Sequence, residues 1–121
     1  MATKPPATLT FDQIVGTKLP TEIVEVEEWG GAVKMRGLSK GEMKELYGRW
    51  PEAGENEEHQ AGLERDLIRL SMVEPALSED EVAKLDGQRF SPVALLVASA
   101  LRLSGLGAEE ETPSANQFPA K

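Results

Sequence analysis

The chain contains no cysteine and one histidine, and its aromatic residues are limited to two Trp, one Tyr and three Phe. Without cysteine there are no disulfides, no thiolate nucleophile and no Cys-based zinc site, and an oxidising compartment is not needed. The histidine, His59, follows Glu57 and Glu58 directly. Adjacent helical positions point in different directions, so these side chains do not converge on one metal ion, and a solvated helix start is the better reading. Basic residues are also scarce, 13 Lys and Arg against 21 Asp and Glu, which leaves a net charge of −8. Such a surface repels phosphate backbones and anionic lipid, so neither nucleic acid nor a membrane is an expected partner. The longest apolar run, 92–98, falls far short of the roughly 20 residues that span a bilayer. Residues 1–8 have no apolar stretch of the secretory type. A soluble cytosolic protein with a mainly aliphatic core is expected.

Catalytic patterns are missing as well. The glycines Gly30-Gly31, Gly37, Gly41 and Gly105-Leu106-Gly107 match no phosphate-cradling spacing. Carboxylates cluster at Glu25/Glu27/Glu28, at Glu52/Glu55 and at Glu79-Asp80-Glu81. The first group has basic residues across an expected hairpin, the second lies in a loop, and the third opens a helix where the dipole favours negative charge. No catalytic residue, cofactor site or metal site is therefore assigned.

What is present is one α+β domain, mainly α, over 9–106, between a flexible N-terminal tail at 1–8 and an acidic disordered C-terminal tail at 107–121. Thr10 is placed to cap a short helical turn carrying Phe11, Ile14 and Val15. Over 22–36, two runs of β-formers flank Gly30-Gly31, and a two-residue turn there predicts a hairpin. That register sets Val26 opposite Met35, Glu27 opposite Lys34 and Glu25 opposite Arg36, with Val24, Val26, Val33 and Met35 on one face. Ser39 with Glu42 forms a capping box opening a helix of about 40–50, flanked by a Leu38/Met43 hydrophobic staple and bearing Met43, Leu46, Tyr47 and Trp50. An amphipathic helix follows at 57–73, ended by Glu74-Pro75. Ser78 with Glu81 opens a short helix at 79–86, and Ser91-Pro92 opens the last, 92–104, which closes on Gly105. The expected architecture is a hairpin packed on a small bundle of these helices.

Two features suggest a binding surface. The last helix is apolar almost all round, so it is either the central helix of the domain or one whose second face receives a partner or a second copy of the chain. Leu95, Leu96, Ala98 and Ser99 are the candidate contact residues on it, with small Ala94 beside them. Trp29, at the hairpin tip, either anchors a partner or folds back on the domain.

The order of these features resembles the tail assembly chaperones of long-tailed bacteriophages. The resemblance lies in the hairpin Val24-Glu25-Val26, Glu28-Trp29-Gly30-Gly31, Val33, Met35-Arg36, then Leu38-Ser39 and the helix opening at Glu42. It continues through Val73-Glu74-Pro75-Ala76-Leu77-Ser78-Glu79-Asp80-Glu81-Val82 to the leucine- and alanine-rich helix closing on Leu103-Ser104-Gly105-Leu106. It implies a protein of the host cytoplasm that binds the long tape measure protein and keeps it soluble until tube subunits polymerise around it. The tail tube protein is then a possible further partner, and self-association is compatible with the apolar helix. No catalytic residues come with the resemblance. Two other readings compete: a structural virion component such as a head-tail connector or tail-completion protein, and an acidic mimic of nucleic acid. The second needs carboxylates in long rows, which interspersed Lys and Arg interrupt.

Overall fold

A computed structural model describes residues 7–106. The tail expected at 107–121, and all but the last two residues of that at 1–8, lie outside the described residues. The order of elements is α1 (Phe11–Val15), β1 (Thr21–Val26), β2 (Gly31–Arg36), α2 (Lys40–Arg49), α3 (Glu57–Ser71), β3 (Met72–Glu74), α4 (Glu79–Ala83) and α5 (Phe90–Leu103), with 3-10 turns at Glu27–Trp29 and Lys84–Gly87. The fold is α+β and mainly α, a three-stranded antiparallel sheet in the order β1-β2-β3 packed against helices.

The hairpin forms, but in a different register. Val24 stands opposite Val33, Val26 opposite Gly31 and Glu22 opposite Met35. The connection is the four residues 27–30 rather than Gly30-Gly31. The Gly30 N–H donates to the Glu27 carbonyl at 3.0 Å, and Gly30 turns the chain at φ 75°, a left-handed conformation that glycine adopts without steric cost. The expected Glu27/Lys34 and Glu25/Arg36 pairings are therefore not made. The slip is four residues, an even number, and side chains alternate with period two, so the inward face is unchanged. Val24, Val26 and Met35 are buried and Val33 is packed against them.

Both serine capping boxes are present, at Ser39/Glu42 and Ser78/Glu81, and Thr10 makes a third with Gln13. Leu38 and Met43 both join the core. On α2, Leu46 is buried and Trp50 half-buried, while Tyr47 is exposed. α3 stops at Ser71 instead of running to residue 73. Pro75 disfavours helical angles at Glu74, and the free edge of β2 offers hydrogen bonds to an extended 72–74 segment, which becomes β3. α5 begins at Phe90 with Arg89 as N-cap, not at Ser91, so Pro92 sits in the first turn, where its missing N–H costs nothing.

The core lies between the inward sheet face and the helices. It joins Val24, Val26 and Met35 to Leu46, Leu67, Ile68, Val82, Leu96 and Ala100. β1 runs along α5 and is tied to it at both ends. Glu22 pairs with Arg102 at 2.8 Å, and Glu28, in the hairpin turn, pairs with Arg89 at 2.7 Å. At the end of β2, Gly37 lies so close to the backbone of Leu103 that a Cβ there would overlap the Leu103 carbonyl. The Leu38 N–H donates to Ser104 Oγ at 2.8 Å beside that contact.

Candidate partner-binding groove

α5 turns one side into the core and an adjoining side into an open groove. Pro92, Leu96, Ser99 and Ala100 point inward and are buried. At 100° per residue, Val93, Val97 and Leu101 follow on one flank, half-buried, with Ala94 and Ala98 beside them. Together with Leu85 and Phe90 they line a groove of about 520 Å³. Phe90 is 84% exposed. As the first residue of α5, it stands at one end of the groove.

The polar rim is mixed in charge. Glu64, Asp86, Gln88 and Arg89 border the groove. Arg65 lies 3.5 Å from Asp86, while Arg89 turns towards Glu28, which also accepts from Ser91 Oγ at 3.3 Å. These bonds anchor the hairpin turn beside the start of α5. Trp29 is thereby set next to Lys84, Leu85 and Gln88 around a second, shallower depression of about 400 Å³. Leu85 and Gln88 border both, so the two make one continuous surface.

The sequence-derived contact residues divide accordingly. Ala98 lines the groove, and Trp29, 37% exposed, borders its extension. Leu95 is exposed but about 160° round the helix from Val97, on the opposite flank. Leu96 and Ser99 are buried in the core, so the structure places them away from the exposed surface on which the others lie. A nearly all-apolar helix has few polar residues to mark its buried centre, so the expected face includes Ala94 and Ala98, which line the groove, together with Leu96 and Ser99, which lie in the core. Val93, Val97 and Leu101 were legible as an i, i+4, i+8 row. Phe90 was hidden by reading Ser91 as the cap.

Perturbed ionisable groups lie away from this surface and have structural causes. Arg36 donates two hydrogen bonds to Glu42, at 2.9 and 2.8 Å. These bonds, with help from the Ser39 N–H, outweigh the opposing effect of burial and hold the Glu42 carboxyl down to about 2. For Asp66 the largest influence is burial, which raises its pKa. Hydrogen bonds from Trp50 Nε1 and Arg49, both 2.8 Å, and the charges of Arg49 and Arg69 prevail and lower it. His59 accepts the Glu52 N–H at Nδ1, 3.2 Å, and meets Trp50 edge-on at 5.6 Å. Among the described residues no group of three or more His, Cys, Asp or Glu could hold a metal ion, and no helix is long and apolar enough to cross a membrane.

Comparison with protein-family models, curated proteins and solved structures found no match, so the groove is interpreted from its own chemistry.

Proposed function

We propose that the protein binds an apolar stripe of a helical client in the α5 groove, in the manner of a bacteriophage tail assembly chaperone holding the tape measure protein soluble. The observation that supports this most is the open groove along α5, floored by Val93, Val97 and Leu101 and rimmed by polar residues. A groove of this form accepts an amphipathic helix through residues spaced by three and four positions. The net charge of −8 would keep loaded complexes apart in solution.

The test is co-expression with a long tape-measure-type coiled-coil protein, scored as the soluble fraction of that client. Wild type is expected to raise it several-fold. Ala98→Arg places a charge on an exposed groove position, so the domain folds but solubilisation falls to the level without chaperone. A client equally soluble with either form, or without the protein, would refute the reading.

A further inference from the structure

Residues 9–19 carry five exposed large apolar side chains that have no place in the core. Phe11, Ile14 and Val15 form one face of α1 and are 75%, 54% and 61% exposed, and Leu9 and Leu19 flank them at 62% and 42%. No residue of α1 is buried. Yet its conformation is closely specified. Thr10 Oγ accepts from the Gln13 N–H at 3.1 Å, Gln13 Oε1 accepts from the Thr10 N–H at 2.9 Å, and the Gly16 N–H donates to the Asp12 carbonyl at 3.0 Å. A helix of five residues is far below the length that persists alone in water. Local capping fixes its shape, and packing has to come from a surface outside its own neighbourhood.

We infer that residues 9–19 of one copy dock in the α5 groove of a second copy, reciprocally, to give a symmetric dimer. This concerns occupation of the groove in the absence of client, and it rests on the proposed function only in taking the groove as a binding surface. The area is adequate. Covering these side chains and the groove that receives them, twice over by symmetry, falls at the lower end of specific interfaces, roughly 1,200 Å² in total. Charge permits the approach too. The chain as a whole carries −8, but between residues 7 and 20 the only charges are Asp12 and Lys18, which cancel. The receiving rim is also mixed, with Glu64 and Asp86 against Arg89.

Geometry favours a second copy over the same chain. Pro20 is fixed by the Gly37 N–H at 2.8 Å, and β1 beyond it lies on the side of α5 where Arg102 meets Glu22. None of residues 9–19 borders the groove of its own chain, and their five large apolar side chains stay exposed there, so the segment is left free for a second copy.

Sedimentation of the full chain without client, over a concentration series, tests this. Wild type is expected to dimerise with concentration, and raising the salt does not dissociate it, because the contact is apolar. Phe11→Asp with Ile14→Asp alters only exposed positions and yields a folded monomer, and so does Ala98→Arg. Mixing the two variants, one with an intact groove and one with an intact helix, restores a heterodimer. A wild type that stays monomeric to about 100 μM, or a dimer indifferent to the α1 substitutions, overturns the inference. If the wild type is monomeric while Ala98→Arg still abolishes client solubilisation, self-docking fails and the client reading stands.

Discussion

Glu42 performs two tasks with one carboxylate. It closes the capping box with Ser39, and it holds Arg36 through two hydrogen bonds and so ties the end of β2 to the start of α2. Its pKa in the folded chain, about 2, lies below the ordinary 4.5. A depressed carboxyl stabilises the fold fully above its unfolded pKa and loses that contribution as pH falls towards the folded value. Glu42→Gln is accordingly less stable than wild type at pH 7 by about 1 kcal/mol, discounted for a partly solvated pair. The gap closes between pH 4.5 and 2, which urea unfolding at stepped pH reads directly. Ser39 and Glu42 were legible in the sequence because their spacing is local. The bond to Arg36 was not, since the hairpin register read from the sequence pairs Arg36 with Glu25.

At the scale of elements, the legible features were those with a period or a cap. Every helix expected from 40 onward is present, and the inward face of the hairpin is right although its register is not. Hydrophobic alternation cannot distinguish registers that differ by an even number of residues, and the choice fell to the turn, where Gly30 alone, not Gly30-Gly31, supplies the left-handed residue. β3 escaped because three residues carry no period. The close approach of β2 to α5 was equally invisible: Gly37 touches Leu103, 66 residues later, and nothing local requires a glycine there. Gly37→Ala has backbone, not a flexible side chain, in its way. It should destabilise the fold by about 1–3 kcal/mol, measured by denaturant unfolding, as overpacking at a rigid contact does.

For the whole molecule, the two ties between the hairpin and the last helix join residues far apart in the chain, Glu28 to Ser91 over 63 positions and Glu22 to Arg102 over 80. The inward face of the sheet, with Val24, Val26 and Met35, has α5 as one of its covers. A chain cut after Arg89 should therefore bind more of an apolar-surface dye such as ANS than the full chain does, measured as dye fluorescence at equal concentration. The same topology sets a clock. At about 5–20 residues per second, roughly 3–13 seconds separate synthesis of β2 from completion of α5. Through that interval the nascent hairpin is an incomplete structure with its apolar side open, and α5, among the last of the described elements to be made, is the one that ends its exposure to the ribosome's crowded surroundings.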